Sequence, residues 1–215
     1  MPDSIQTLPL FPLDVVLYPQ AALPLHIFEQ RYKAMIRRCL DEDLPFGVLL
    51  AGEEYMADVG CTARVIDVLE RYDDGRLDIM TEGEERFRLA RVKDDEAGYL
   101  VTVGAEIIEE PAGAASPDLR ERAVTLHMKL LELAGHTVRP SFYEEGDGLS
   151  YKLARNGGLA LEQKQEVLEL LSETDRFEYL VEHFQDLLPR VEQREELRES
   201  IRSNGHFEDF PPDAN

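Results

Sequence analysis

The sequence predicts an α+β protein, with a β-rich first half that contains one amphipathic helix and a second half made of helices. Before residue 111, β-branched runs alternate with Gly- and Asp-rich turns, a pattern typical of short strands. After residue 116, Leu and Glu recur at helical spacing. The change falls within the segment PAGAAS, residues 111–116. We therefore predict a β domain over residues 1–115, a helical bundle over 116–203 and a flexible tail over 204–215.

Six strands are predicted in the first half, over residues 15–18, 45–50, 62–70, 77–81, 85–92 and 99–109. A hairpin turn at residues 72–76 joins two of them, because Asp and Gly tolerate the positive φ of tight turns. Four prolines between residues 9 and 24 fix φ and remove backbone donors. We expect this stretch to be extended and to stay out of a central ladder. Short strands with a single helix favour a curled sheet or small barrel.

The one helix of the first half is predicted over residues 28–41. Its apolar stripe, which should bury against the sheet, consists of Phe28, Tyr32, Met35, Ile36, Cys39 and Leu40. Cys39 lies on this stripe, so we interpret it as a small core residue and not a nucleophile. The basic residues Arg31, Lys33, Arg37 and Arg38 lie off the stripe. We favour pairing with the protein's own carboxylates, and the alternative is a basic strip that recruits an acidic partner.

Five helices are predicted in the second half. Ser116 before Pro117 is an N-cap followed by proline at the first helical position. The stripe of this helix is Leu119, Ala123, Leu126, Leu130 and Leu133, and Gly135 can end it. Two helices follow over residues 149–155 and 161–171. Thr174 is predicted to cap a fourth helix and Pro189 to open a fifth, so that the whole forms a small bundle.

Composition excludes several classes of protein. The net charge is −21, with 11 basic and 23 acidic side chains in residues 1–112 and 12 and 21 in residues 113–215. A chain so uniformly acidic is a poor general nucleic-acid binder, because nucleic-acid surfaces require Lys and Arg. No apolar run reaches the roughly 18 residues of a membrane span. The start lacks the features of a secretory signal, and two cysteines form no disulfide framework, so the expected compartment is the cytoplasm.

A search for catalytic motifs names no reaction. The sequence has no G-x-x-x-x-G-K-[ST] phosphate loop and no G-x-S-x-G nucleophile elbow. Its five histidines show no H-E-x-x-H or other close metal-ligand spacing. Lys152 follows Ser150 by two residues, and residues so spaced do not face each other on a helix. We therefore predict no catalytic residue, no metal and no cofactor.

Several segments resemble one family. LPLFPL (8–13), LPLHIFE (23–29) and the following Arg31-Tyr32 are similar to the opening signature of the Lon protease N-terminal, substrate-binding domain. The likeness is to the small stand-alone proteins that carry this domain without the protease. PFGV (45–48), GCTARV (60–65), GEERF (83–87) and LSYKLA (149–154) resemble later blocks. The resemblance covers roughly residues 8–188 and implies a PUA-like mixed β pseudo-barrel followed by a helical bundle. Gln20 departs from it, since the family usually has Gly there.

The resemblance also implies a function, that of a non-catalytic module that binds polypeptide. The partner would be an unfolded polypeptide or one dedicated protein, with no nucleic acid, no membrane and no indication of the oligomeric state. The extended apolar segment beside the helix either packs over it or leaves a groove. The residues of this peptide groove would be Leu23, Leu25, His26, Ile27, Phe28 and Tyr32. Two alternatives stay open: an enzyme with an unrecognised pocket of titratable groups, and a PUA-like RNA-binding protein with a contiguous basic face.

Overall fold

The computed structural model describes residues 4–111, 113–137, 139–143 and 148–204, and the predicted tail lies almost entirely outside the described residues. Seven strands form one mixed sheet: β1 (Ser4–Leu13), β2 (Ala22–Ile27), β3 (Phe46–Leu50), β4 (Val59–Arg71), β5 (Leu77–Arg88), β6 (Arg91–Asp94) and β7 (Leu100–Ile107). Their order is β2-β5-β4-β3-β1-β7-β6. Because the end of β5 also pairs with β7, five strands close into a barrel, and β2 and β6 remain at its edges. The predicted α+β class and barrel are confirmed.

The proline-rich start differs from the prediction. Residues 15–18 form no strand, whereas β1 runs from residue 4 to 13 and lies inside the sheet, so both expectations were wrong. β1 pairs with β7 up to Leu10 and with β3 from Leu10 onward. At Pro9 and at Pro12 the strand therefore has one neighbour only. At these positions proline lacks an N–H where the strand is hydrogen-bonded on one side only. An interior strand therefore tolerates both prolines.

β5 also differs from the prediction, which divided it into strands over residues 77–81 and 85–92. It continues to Arg88 because Gly83 does not end the strand. The loop before β2 binds to the strand at this residue. Gly83 exchanges backbone hydrogen bonds with the loop before β2, accepting from Gln20 N (2.7 Å) and donating to Ala21 O (3.0 Å). A Cβ at Gly83 would lie 2.3 Å from Tyr18 O, so only glycine allows this approach. Gln20 itself has φ of +61°, a conformation that glycine adopts at lower cost.

The helix of the first half, α1 (Gln30–Glu42), covers one open side of the barrel. Its buried residues are Tyr32, Met35, Ile36 and Cys39, as the apolar stripe predicted. Phe28 is an exception, since it precedes the helix and is 60% exposed. Basic residues off the stripe contact the protein's own groups: Arg31 pairs with Glu29, Arg38 pairs with Glu42 and Asp95, and Lys33 donates to Asp74 O. Three of the four basic residues that lie off the stripe are therefore bound by the protein's own groups, which leaves little free charge for the RNA-binding alternative.

The second half contains α2 (Pro117–Leu133), a 3-10 helix (Pro140–Tyr143), α3 (Leu149–Asn156), α4 (Leu161–Glu169) and α5 (Glu173–Asn204). The described residues of the second half thus form four α-helices, and the fifth predicted helix is part of α5. Pro189 lies inside α5 because Leu188 and Val191, on either side of it, pack into the core of the bundle. This packing outweighs the roughly 3 kcal/mol that proline costs in a helix interior.

Of the two predicted N-caps, one is confirmed and one is wrong. Ser116 caps α2 as expected, with its side chain accepting from Leu119 N (3.2 Å). The cap of α5 is Ser172 and not Thr174. Ser172 Oγ accepts from Asp175 N (3.1 Å), and the Asp175 carboxylate accepts from Ser172 N (3.3 Å). Two orphan backbone donors are satisfied by this reciprocal pair.

Two buried arginines join the barrel to the bundle at the end of α4. Arg86, on β5, donates to the backbone carbonyls of Leu168 (3.0 Å), Leu170 (2.5 Å) and Leu171 (3.2 Å). Arg176, on α5, donates to Leu170 O (3.4 Å), and its guanidinium lies 4.2 Å from the centre of the Tyr151 ring. The carbonyl end of a helix carries partial negative charge, so it stabilises both guanidinium groups.

Three further contacts hold the same junction. Glu110, after β7, accepts from Arg176 Nη2 at 2.5 Å. Tyr18 donates to Lys164 O (2.9 Å), and Gln165 Nε2 donates to Val59 O (3.0 Å). Tyr18 and Val59 belong to the same hydrophobic cluster as the bundle helices. The two halves therefore share core residues, and the division into domains at residue 115 stays a prediction.

The first prediction concerns this junction. Arg86→Met should lower the free energy of unfolding by about 3 kcal/mol or more, because the carbonyls of Leu168 and Leu171 lose their donor and that of Leu170 keeps only the longer bond from Arg176. Arg88→Met, an exposed change on the same strand, should cost less than about 0.5 kcal/mol. Urea unfolding followed by far-UV circular dichroism and by tyrosine fluorescence is the measurement. Both probes should move together; if only the helical signal shifts, the halves unfold independently and the junction does not couple them.

One histidine in the bundle is held in a setting that disfavours its charged form. His127, on α2, is fully buried beside Phe142 and Phe184. Its Nδ1 lies 2.9 Å from Tyr143 Oη, and its Nε2 has no hydrogen-bond partner among the described residues. Burial lowers the pKa of His127 from 6.5 to about 4. Protonating this side chain therefore opposes folding.

The second prediction is the pH dependence that follows. Because the unfolded chain takes up this proton below pH 6.5 and the folded chain only near pH 4, stability is lost as the pH falls between these values. The loss from His127 should be about 3 kcal/mol. His127→Leu should remove that part of the slope, while His136→Gln, an exposed control, keeps it. Urea unfolding of the three proteins from pH 7 to about pH 4 makes the comparison, and identical slopes for the wild type and His127→Leu would exclude this account.

Candidate functional site

The strands β2, β5 and β4 lie side by side, and their shared outer surface is built by alternation along β5. Leu77, Ile79 and Thr81 are buried on the barrel side. The residues between them, Asp78 and Met80, are partly exposed on the opposite side. On β2, Pro24 is in register with Met80 and His26 with Asp78. A three-stranded surface therefore faces away from the core.

Two β-bulges in β4 enrich this surface in apolar side chains. The pairing of β4 with β5 shifts between Val65 and Asp67 and again between Val68 and Glu70, so Ile66 and Leu69 are the extra residues. Val65 and Val68 pack against the barrel core. Ile66 and Leu69 are 54% and 55% exposed. We define the outer face as Pro24, His26, Phe28, Ile66, Leu69 and Met80.

One corner of the outer face is aromatic and hydrogen-bonded. The His26 and Phe28 rings stack at 5.9 Å, and the Tyr72 ring meets His26 edge-on at 6.0 Å. Asp78 orders the corner: His26 Nδ1 lies 2.5 Å from Asp78 Oδ1, and Tyr72 Oη donates to Asp78 Oδ2 at 2.7 Å. These two hydrogen bonds, His26 first, lower the pKa of Asp78. An ionised Asp78 thus fixes the position of the exposed rings.

The residues predicted for the peptide groove divide between the two sides of the sheet. Ile27 and Tyr32 are buried, and the Tyr32 ring lies 4.1 Å from that of Phe11. Leu23 and Leu25 are partly buried and pack against the same core. His26 and Phe28 face outward. The structure therefore brings two of the six predicted residues to an accessible surface, and the other four support it from beneath.

Sequence reasoning missed Ile66, Leu69 and Met80. The segment VIDVLE, residues 65–70, was assigned to a strand, and it breaks the strict alternation of apolar and polar residues. Two apolar–acidic pairs, Ile66-Asp67 and Leu69-Glu70, follow the core residues Val65 and Val68. That irregular spacing is the signal of a bulge, but without the register of the partner strand it does not show which side chains face out.

A concave region of about 650 Å³ lies elsewhere, between α4 and α5. Its histidine is tied to the scaffold: His183 Nε2 lies 3.0 Å from Gly157 O and Nδ1 lies 3.4 Å from Gln163 Nε2. Tyr179 donates to Glu166 (2.6 Å), and burial raises the pKa of Tyr179 to about 12. These groups are structural partners, and a hydrolytic centre does not follow from them. No three His, Cys, Asp or Glu side chains among the described residues are grouped to hold a metal ion.

No helix in the described part of the chain is both long and apolar enough to cross a membrane.

Solved structures show the same architecture. A Lon N-terminal domain protein from Xanthomonas campestris superposes with a TM-score of 0.67 at 28% identity, covering 82% of this chain and 98% of that one. The N-terminal domain of Lon protease from the Mycobacterium avium complex superposes with a TM-score of 0.58 at 19% identity, covering 84% and 98%, and shows the fold alone. The barrel with its appended bundle is therefore a Lon N-terminal-type fold.

The sequence comparison gives the family. The model of the ATP-dependent protease La (LON) substrate-binding domain matches residues 7–186, and the chain belongs to this family. Lon protease from Escherichia coli K12 is 24% identical over 216 residues, covering 91% of this chain and 26% of the protease. Lon protease from Lawsonia intracellularis is 27% identical over 202 residues, covering 85% and 24%. The chain thus spans about a quarter of the length of the curated relatives that it matches.

The third prediction separates exposed from structural residues. Because Ile66 and Leu69 lie outside the core, the double change Ile66→Thr/Leu69→Thr should alter the free energy of unfolding by less than about 0.5 kcal/mol. It should nevertheless weaken ANS fluorescence and retention on a phenyl resin. Ile79→Thr, the buried control from the adjacent strand, should cost about 2–4 kcal/mol. A loss above about 2 kcal/mol in the double variant would show instead that these residues hold the fold together.

Proposed function

We propose that this chain is a non-catalytic binding module that holds unfolded polypeptide on the outer face. The observation that carries the proposal is an apolar surface with three side chains that are each more than half exposed: Ile66 and Leu69 on β4, and Phe28 directly after β2. Met80 of β5 lies between these two strands, in register with Pro24 on β2 and Asp67 on β4. Exposed apolar residues scattered singly need no explanation, but a contiguous group marks a surface that another molecule covers. Unfolded chains supply the matching apolar side chains.

The neighbouring backbone supports an extended ligand. Among the described residues, β2 pairs with β5 and with no strand on its other side. Such an edge has backbone groups that a polypeptide in extended conformation can bond. Pro24 lies in the middle of this edge and supplies no N–H. The edge therefore offers limited strand pairing, and most of the affinity should come from side chains placed against the outer face.

The family supports the same class of ligand. Its description names a substrate-binding domain, and the relatives named above are Lon proteases. Those relatives extend far beyond the matched region, so their proteolytic activity is not transferred to this chain. The groove residues predicted from the sequence enter the proposal in two roles. His26 and Phe28 contact the ligand, while Leu23, Leu25, Ile27 and Tyr32 hold the strand and the start of α1 in place.

The fourth prediction tests binding directly. Fluorescein-labelled casein, a largely unfolded protein, should bind the wild type with a dissociation constant of roughly 10 µM, as expected for a small open apolar surface. The triple variant Phe28→Ser/Ile66→Thr/Leu69→Thr should weaken binding at least tenfold, or about 1.4 kcal/mol. Fluorescence anisotropy is the measurement.

The matched control is Leu197→Ser/Ile201→Ser on α5, where the two side chains are 63% and 64% exposed. It changes two exposed apolar side chains, against three in the triple variant, at a place outside the outer face, so casein binding should not change. Absence of binding by the wild type would contradict the proposal. Equal weakening by the triple and control variants would do so as well, since binding would then follow exposed apolar area and not the site.

A further inference from the structure

Each bulge of β4 places an acidic side chain beside an apolar one. Asp67 follows Ile66 and Glu70 follows Leu69, and all four residues are exposed. Asp67 is in register with Met80, so a carboxylate borders the apolar centre of the outer face at cross-strand distance, about 5 Å. Glu82, one alternation further along β5, lies in register with Ala22 of the edge strand. Carboxylates therefore alternate with the apolar side chains on this surface.

These carboxylates are available to a ligand. Asp67 has no ion-pair or hydrogen-bond partner within the parts of the chain that the structure describes. Glu82 lies in register with Arg64 of β4, whose guanidinium binds Asp43 and Glu84. Glu70 Oε2 lies 3.1 Å from Tyr72 Oη, but the single proton of that hydroxyl is donated to Asp78, so the charge of Glu70 is uncompensated. All three are exposed, so they attract cations at a modest strength that depends on salt.

The basic side chains near the outer face form ion pairs with other carboxylates or lie on the other side of the strand. Arg31 binds Glu29 at 2.9 Å, and Arg76 binds Asp74 at 2.7 Å. Arg64 binds both Asp43 (2.8 Å) and Glu84 (2.9 Å). Arg71 is in register with the core-facing Leu77, which places it on the other side of the strand. The field over the outer face is therefore negative, in keeping with the net charge of −21.

We infer that the outer face selects apolar segments that carry Lys or Arg beside their apolar residues, and that it rejects segments with acidic flanks. This inference rests on the proposed function and names its substrate class. A bound segment would place apolar side chains against Ile66, Leu69 and Met80. Its basic side chains would then reach Asp67 and Glu70, and acidic ones would meet like charge.

The test uses three synthetic peptides with the same apolar centre and flanks of Lys, Gln or Glu, each labelled with fluorescein. At about 0.05 M salt, the wild-type chain should bind the Lys-flanked peptide about tenfold more tightly than the Gln-flanked one. The Glu-flanked peptide should bind more weakly than either. At about 0.5 M salt, where the Debye length is roughly 4 Å, the three affinities should agree within about twofold.

Charge-removing variants assign the selectivity to the site. Asp67→Asn/Glu70→Gln should bring the ratio of Lys- to Glu-flanked affinities close to that at high salt and leave the Gln-flanked affinity unchanged. Asp94→Asn/Glu96→Gln removes the same charge from exposed positions at and after β6, at the far end of the strand order, and should keep the full ratio. An equal fall in both variants would overturn the inference, because selectivity would then reflect total charge.

The outcomes separate the two claims. If the Gln-flanked peptide does not bind, or if Ile66→Thr/Leu69→Thr fails to weaken it, the proposed function is wrong. If that peptide binds at the outer face and the Lys- and Glu-flanked peptides bind equally at low salt, the proposed function stands and the inference fails.

Discussion

The position of the bundle against the barrel depends on how the chain accommodates two guanidinium groups at the carbonyl end of α4. Arg86 comes from the barrel and Arg176 from α5, and each is almost fully buried. Removing a charge from water costs several kcal/mol unless polar groups surround it. The last carbonyls of α4 and the carboxylate of Glu110 provide those groups. Since the donors come from both halves, the barrel and the bundle cannot separate without exposing or orphaning them.

A second constraint shapes the barrel itself. The sheet closes because β5 is long enough to pair with β4 along its whole length, with β2 along its first part and with β7 at its end. The bulges of β4 raise the local twist that closure needs. Each bulge also turns an apolar residue outward, so the feature that curves the sheet creates the outer face. Structure and the proposed site therefore have one physical origin.

An exposed apolar surface is a liability for a soluble chain, because it promotes association. In this protein it is set among carboxylates, within a chain of net charge −21. Like charge opposes contact between two outer faces, because such contact would bring Asp67 and Glu70 together with their counterparts. A cationic apolar segment meets no such repulsion. The same carboxylates thus oppose self-association and, under our inference, favour ligands with basic side chains.

The amino-acid sequence by itself determined which segments form strands and helices where the pattern is long and regular. α1 was predicted from its apolar stripe, α2 from Ser116 and Pro117, and the hairpin from its Asp and Gly residues. Local propensity decides these features, so a single chain segment contains the information. The resemblance to Lon N-terminal domains added the family, and the family match over residues 7–186 confirmed it.

Tertiary structure decided what depends on a neighbour. Pro9 and Pro12 lie in an interior strand because β1 changes partners between them, and Pro189 lies within α5 because α5 packs along the bundle core. For the candidate site, the sequence named His26 and Phe28, which face outward, and also four residues that pack against the core. The outward direction of Ile66 and Leu69 could not be predicted from the sequence. The direction of a side chain on a bulged strand is set by the register of the strand beside it, and that register exists only once the barrel has closed.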